Sequence, residues 1–163
     1  MSGDTLCGLL PLLDARARVL ILGSFPSAAS LAAQQYYAHP QNQFWRLVGA
    51  VIGQPLREMD YLTRCLAVQD AGIAIWDVFA ACERDGSLDA TIRHAQRNDF
   101  STLPALAPQL RRVCFNGRIA ARLTREIEAL GFEVVVLPST SPAHAGMGFV
   151  EKLARWDAAL RLS

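Results

Sequence analysis

The sequence predicts an α/β domain, a three-layer sandwich around a short four-stranded parallel sheet. Four short apolar runs, rich in β-branched residues, lack the polar–apolar alternation of a half-exposed strand and so read as strands covered on both faces. Segments with apolar residues at helical spacing lie between them, the pattern of helices packed on a parallel sheet. The chain has 163 residues, 52% of them apolar and 19% charged, which suits one packed core, so residues 1–163 are expected to form a single domain.

In chain order, Arg18 to Gly23 is the first strand, closed by its glycine. Phe44, Trp45, Leu47, Val48, Val51 and Ile52 recur as on a helix, as do Tyr61, Leu62, Cys65 and Leu66. Ala71 to Trp76 and Val113 to Gly117 are the second and third strands. Ile119, Leu123, Ile127 and Leu130 form a helical stripe that Gly131 stops. Phe132 to Leu137 is the fourth strand, and a last helix over Phe149 to Leu162 carries Val150, Leu153, Trp156 and Leu160 on one side. Trp76, Phe132 and Trp156 are assigned to the core, and His94 to a polar, helical, solvated stretch.

Composition excludes several classes. High apolar content at a net charge of +1 excludes an intrinsically disordered chain. No apolar run reaches the ~18 residues of a membrane span, and Met1-Ser2-Gly3-Asp4 lacks the basic start of a secretory signal, so the expectation is a cytoplasmic protein without membrane contact. Cys7, Cys65, Cys82 and Cys114 are separated by 57, 16 and 31 residues, which matches no zinc or iron–sulfur spacing. They are expected to be buried small apolar residues, and neither metal nor cofactor is indicated. The sixteen basic residues are fifteen Arg and one Lys, Lys152, read as a surface charge beside Glu151.

Ligands of open parallel sheets bind beyond the carboxyl ends of the strands. Those ends are Gly23-Ser24-Phe25-Pro26-Ser27, Trp76-Asp77, Asn116-Gly117 and Leu137 to Pro142, all rich in small polar residues. The first is no phosphate loop, having one glycine and no lysine. More telling is Tyr36 to Trp45, where two Tyr, a His-Pro turn, an amide and Phe-Trp set aromatic faces beside a fixed Asn. That combination suits a planar heterocycle, which needs stacking and an amide at its edge.

Gly23-Ser24-Phe25-Pro26-Ser27 followed by Tyr37-Ala38-His39-Pro40-Gln41-Asn42-Gln43-Phe44-Trp45 resembles the first block of the uracil-DNA glycosylase superfamily. Leu137-Pro138-Ser139-Thr140-Ser141-Pro142-Ala143 resembles its His-Pro-Ser-Pro block, and the second and third strand ends match in order, so the resemblance spans Arg18 to Trp156. In the mismatch-specific uracil and thymine enzymes the turn carries a water-holding Asn, where this chain has Phe25. Uracil-specific enzymes open the second block with His, where this chain has Ser139. Both departures resemble the hypoxanthine-DNA glycosylase branch, in which catalysis falls to the amide that matches Asn42.

The resemblance implies a monofunctional enzyme that flips a deaminated base, most readily hypoxanthine, out of double-stranded DNA and hydrolyses its N-glycosidic bond in base excision repair. A monomer is expected. Asn42 would orient the water, or cap the helix at Phe44, and the two uses are compatible. Phe25, Tyr37, Asp77 and Asn116 would contact the base; Tyr37 otherwise belongs to the core, and Asp77 and Asn116 otherwise serve as strand-end turn residues. His39 is read as a structural turn residue. Gly23, Ser24, Pro26, Ser27, Ser139 and Ser141 would meet the leaving group and phosphates. The loop Ser139 to Phe149 would enter the minor groove, with Pro142, His144 and Met147 as its wedge, or else is merely solvated. Arg111, Arg112 and Arg118 are further phosphate candidates. The rival readings are a uracil or thymine mismatch glycosylase, a nucleosidase acting without DNA, and a DNA-binding module without activity. A serine hydrolase is disfavoured by the lack of a Gly-x-Ser-x-Gly elbow.

Overall fold

A computed structural model describes residues 3–144 and 146–162. Ala145, in the middle of the expected groove-entering loop, and Met1 and Ser2 of the N-terminus lie outside the described residues. The parallel sheet comprises β2 (Val19–Gly23), β3 (Ile73–Asp77), β6 (Arg112–Asn116) and β7 (Glu133–Leu137), in the order β3-β2-β6-β7. Every residue of β2 and β3 is buried, which is why neither shows alternation in sequence.

Alternate side chains leave opposite faces of these strands and found two cores. On one face Ile21, Ile75 and Cys114 pack under α2 (Phe44–Ile52), α3 (Tyr61–Asp70) and α6 (Phe149–Leu160). On the other, Leu20, Leu22, Trp76 and Phe115 meet α4 (Leu103–Leu106) and α5 (Thr124–Ala129). The three layers expected from the sequence are present. Trp76, Phe132 and Trp156 are buried as expected. A short α1 (Ala28–Ala33) follows β2 and precedes the aromatic segment.

Several elements differ from the sequence reading. A second sheet, antiparallel and three-stranded, joins β1 (Leu6–Cys7), β4 (Phe79–Glu83) and β5 (Arg93–Arg97) in the order β1-β4-β5. His94 therefore lies in a strand rather than a helix; it is solvated as expected, and its ring meets Glu83. The stripe from Ile119 to Leu130 is a 3-10 turn, Ala120–Leu123, running into α5. Cys65, Cys82 and Cys114 are buried, but Cys7 is exposed. In α6 the buried face is turned from the one expected, since Val150 is exposed and Lys152 is only 1% exposed. The surface-charge reading of Lys152 is thereby overturned. Among the described residues no helix is long and apolar enough to cross a membrane.

Candidate active site

The carboxyl ends of the four parallel strands open into a cleft of about 650 Å³, a volume typical of small-ligand sites. Strand order reverses between β2 and β6, because β3 was laid down on one side of β2 and β6 on the other. Open α/β sheets bind ligands at such a switch point. Register then fixes the floor: Gly23 lies beside Asp77, and Asn116 beside Leu137.

A Cβ on Gly23 would stand 2.6 Å from Asp77 Oδ1 and 3.0 Å from Tyr37 Oη, so only glycine lets the carboxyl and the phenol come this close to the strand end. Tyr37 has φ +54°, a conformation rarely adopted by bulky residues and one that concentrates at functional sites. Its ring stacks on Phe44 at 3.9 Å and 13°. Phe44 in turn meets Trp45 and Trp156 edge-on, so the stack rests on rigid core. Burial holds the Tyr37 phenol well above its ordinary range, and the Asp77 charge adds to this.

Asn42 lines the cleft, and its Oδ1 accepts the Phe44 N–H at 2.9 Å at the start of α2. Asn42 stands one residue before the N-cap, Gln43, whose side chain makes no capping bond, so the bond differs from the expected cap; it still fixes the plane of the amide. His39 is part of the preceding turn: its Nδ1 accepts the Gln41 N–H at 3.1 Å and its carbonyl accepts the Asn42 N–H at 3.0 Å. Asn116 also lines the cleft but is heavily engaged. Its Nδ2 donates to Tyr37 Oη at 3.2 Å and to Thr140 Oγ1 at 3.0 Å, while its Oδ1 accepts the Thr140 N–H at 3.0 Å. Both amide hydrogens are used within the protein.

Asp77 is 5% exposed, and its Oδ2 is buried without a hydrogen-bond partner. Burial pushes its carboxyl up to about 7; the Asp89 charge works in the same direction and Arg84 opposes it. Arg84 and Asp89 come from the segment after β4 and were not expected from the sequence. The Arg84 guanidinium lies 5.2 Å from the Phe25 ring and donates to the Pro26 carbonyl at 2.7 Å and, through Nε, to the Gly86 carbonyl at 2.8 Å. Its Nη1 stands 3.6 Å from Asp89 Oδ1. Asp89 accepts the Ser24 hydroxyl, and its carboxyl is raised by burial against the pull of Ser24 and Arg84. Only the Asp85-Gly86 turn was visible in sequence; nothing in it distinguishes a cover over a cleft from an ordinary hairpin.

The hydroxyls expected to meet phosphates are mostly occupied locally. Ser27 caps α1 by accepting the Ser30 N–H at 3.1 Å. Ser139 Oγ accepts the Ser141 N–H at 3.1 Å, and Ser141 Oγ the Ala143 N–H at 3.3 Å. Pro142 and His144 are exposed, whereas Met147 is half-buried on the cleft wall. Arg118 and Arg155 also line the cleft.

The loop is moored at its base. Trp156 Nε1 donates to the Pro138 carbonyl at 3.0 Å, and the Gln43 N–H to the Thr140 carbonyl at 3.0 Å. Lys152 Nζ donates to Gln43 Oε1 at 3.0 Å and to the His144 carbonyl at 2.9 Å, and burial lowers its pKa. The lone lysine therefore ties the loop to the residue that follows Asn42. A signal was present, because positions 152, 156 and 160 share one helical face with Trp156 and Leu160. No cluster of three or more His, Cys, Asp or Glu among the described residues is arranged to hold a metal ion.

A sequence model described as the Uracil DNA glycosylase superfamily matches residues 10–159. A hypoxanthine DNA glycosylase of Methanosarcina acetivorans is 42% identical over 154 residues, covering 94% of this chain and 97% of the relative. One of Methanosarcina barkeri is 40% identical over 137 residues, covering 84% and 87%. The solution NMR structure of a candidate uracil DNA glycosylase from M. acetivorans superposes with a TM-score of 0.89 at 40% identity, covering 97% of this chain and 98% of that one. With the motif blocks converging on one cleft at the sheet's switch point, these matches show that the chain belongs to the uracil DNA glycosylase superfamily.

Proposed function

We propose that this protein is a monofunctional DNA glycosylase that removes hypoxanthine from deoxyinosine in duplex DNA. The observation that carries the reading is the meeting of Asn42, Tyr37 and Asp77 in one cleft, in a chain 42% identical to a hypoxanthine DNA glycosylase. The extruded nucleotide enters the cleft, and its base lies on the Tyr37 face opposite Phe44. Phe25 closes the pocket beneath Arg84, and Asn116 is a positioning residue that holds Tyr37 and Thr140. The C1′–N9 bond breaks toward an oxocarbenium-like sugar, its electron pair leaving with the purine. Asn42 orients the water that bonds to C1′, a task for which a neutral amide suffices because the cation needs a placed nucleophile rather than a strong one. Its hydrogen bond from the Phe44 N–H keeps the amide in that orientation before the substrate arrives.

Gly23, Ser24, Pro26 and Ser27 shape the turn around the leaving base. Ser139 and Ser141 stiffen the loop that presents Pro142, His144 and Met147 to the space the flipped nucleotide vacates. Arg118 and Arg155 at the cleft supply phosphate contacts. Lys152 is buried, engaged by two carbonyl oxygens and absent from the cleft lining, which supports hydrolysis rather than Schiff-base chemistry. Borohydride should trap no protein–DNA adduct. The reading carries with it a monomer acting in the cytoplasm, checked by sedimentation and by cell fractionation.

The test is excision from duplexes bearing one deoxyinosine or one deoxyuridine, with abasic sites revealed by alkali. Cleavage of the inosine strand, lowered about 10²–10³-fold in Asn42→Ala with DNA affinity retained, supports the reading. Cleavage confined to uracil overturns the base assignment, and unchanged excision by Asn42→Ala overturns the role of the amide.

A further inference from the structure

We infer that Asp77 works in its neutral form, donating a hydrogen bond from its carboxyl O–H to the extruded base, where negative charge gathers as the glycosidic bond breaks. This rests on the reading of the cleft as a glycosylase site.

The geometry comes first. Asp77 sits at the carboxyl end of β3, in register with Gly23, and lines the cleft. Its side chain is enclosed, with Oδ1 filling the space a Cβ on Gly23 would need and Oδ2 taking no hydrogen bond. Its backbone carbonyl is held by Asn98 Nδ2 at 2.8 Å, so the residue is fixed from behind. A buried polar atom left unpaired in a functional cleft needs a partner that arrives with the ligand.

The surroundings then decide the charge. From β4 and the segment after it, Asp89 faces the carboxyl with a like charge and Arg84 with an opposite one. Arg84 spends Nε and Nη2 on the Gly86 and Pro26 carbonyls, and its Nη1, 3.6 Å from Asp89 Oδ1, makes no hydrogen bond to Asp77. From the aromatic segment come the neutral phenols of Tyr36 and Tyr37, both raised by burial. From the turn after β2 comes the Ser24 hydroxyl, committed to Asp89. No backbone N–H or side-chain donor serves the carboxylate among the described residues, which is how an ionised carboxyl would ordinarily be stabilised. Burial accordingly raises this group to about 7, and the phosphates of bound DNA push it the same way.

The chemistry supplies the reason. A purine leaves carrying the electron pair of the C1′–N9 bond, and that charge spreads over its ring nitrogens and oxo group. An anion placed beside it would oppose departure, whereas a neutral carboxylic acid donates to it, as acids held neutral in apolar sites do. The water that attacks C1′ releases its proton to solvent, and the departing purine takes up a proton in turn, so the step balances with Asp77 unchanged.

Asp77→Asn decides the matter, because a carboxamide donates an N–H at every pH and never ionises. Single-turnover excision of hypoxanthine is followed from pH 5 to 9 in the wild type, Asp77→Asn and Asp77→Ala. The expected result is a wild-type rate that falls tenfold per pH unit above about 7, an Asp77→Asn rate within tenfold of it at pH 6 with that alkaline limb absent, and an Asp77→Ala loss of about 10²–10³-fold. The free wild-type protein should also show a protonated-carboxyl infrared band at pH 6 that Asp77→Asn lacks, a readout independent of activity. Asp77→Asn losing as much as Asp77→Ala, or a wild-type rate rising with pH, overturns the inference and leaves the glycosylase reading standing. No excision of any deaminated base by the wild type overturns that underlying reading instead.

Discussion

Replacing Lys152 by Met tests whether the loop and the Asn42 segment act as one unit. Methionine keeps most of the side chain's length and apolar stem but removes the ammonium that bridges Gln43 Oε1 and the His144 carbonyl. Hydrogen bonds from a charged donor are worth about 1.5–3 kcal/mol each, and two are lost. Against this, the wild type pays to bury an ammonium with no carboxylate beside it among the described residues, and Met removes that penalty. His144 is exposed, so its carbonyl regains water, which leaves Gln43 as the acceptor stranded near the core. The net expectation is a modest destabilisation of about 1–3 kcal/mol. Activity should fall further than stability, because a displacement of about 1 Å at Asn42 costs about 10²-fold in rate. Single-turnover excision at saturating protein isolates that step, while fluorescence anisotropy follows DNA affinity and urea unfolding follows the fold. Gln43→Leu should reproduce the loss, and the double variant should be no worse than either single one, since all three break the same bridge. A folded Lys152→Met protein with a single-turnover rate within twofold of wild type, or strictly additive losses, would refute the coupling.

Gly23→Ala should lower excision about 10²-fold and stability by about 1–3 kcal/mol, because the new methyl meets Asp77 at 2.6 Å and Tyr37 at 3.0 Å; wild-type rates in the folded variant would show that the close approach has no role. For pH, the Asp77 carboxyl rises from its ordinary value of 3.8 to about 7 on folding, so the unfolded chain releases this proton first. The group's contribution is therefore full below about pH 4 and lost progressively as pH rises to about 7, at most about 4 kcal/mol in all. Asp77→Asn should flatten that part of the stability curve in urea unfolding at pH 5 and pH 8, and parallel curves would contradict it. Arg118→Gln and Arg155→Gln should each weaken DNA binding and reduce the slope of log affinity against log salt by about one; a slope unchanged in the double variant would remove both from the phosphate contacts.

The strands β2 and β3 were legible because they are buried on both faces, whereas the edge strand β7, with Val136 exposed, was legible from its run of β-branched residues alone. The antiparallel sheet was hidden for the opposite reason. Arg93-His94-Ala95-Gln96-Arg97 pairs through its backbone with β4 while four of its five residues stay exposed, so no apolar period records the pairing. Asn42 and Tyr37 were legible as members of a dense aromatic–amide segment. Arg84 and Asp89 were not, since their importance comes from folding over a strand end far away in sequence. Lys152 was misread because local composition places a lysine beside Glu151 in water, and only the helical phase shared with Trp156 places it inside.

Phe25, which departs from the mismatch-specific pattern, and Ser139, which departs from the uracil-specific one, share one physical outcome. Phe25 is 6% exposed and lies against Arg84, so the residue in the water-holding position has become the base on which the cover of the cleft rests. Ser139 packs against Gly117, where a Cβ would stand 3.2 Å from its own, and turns its hydroxyl to the Ser141 N–H. Phe25 has no polar group to hold a water, and Ser139 offers a neutral hydroxyl where the block it resembles has an imidazole. Two needs are thereby left to other residues, water placement and stabilisation of the leaving group. The cleft offers Asn42, its amide fixed at the helix start, for the first and Asp77, with an unpaired, buried carboxyl oxygen, for the second. If both assignments hold, Asn42→Ala and Asp77→Ala remove help from opposite ends of the same breaking bond. Their losses should then multiply toward the uncatalysed rate, whereas two residues serving a single end would show one loss masking the other.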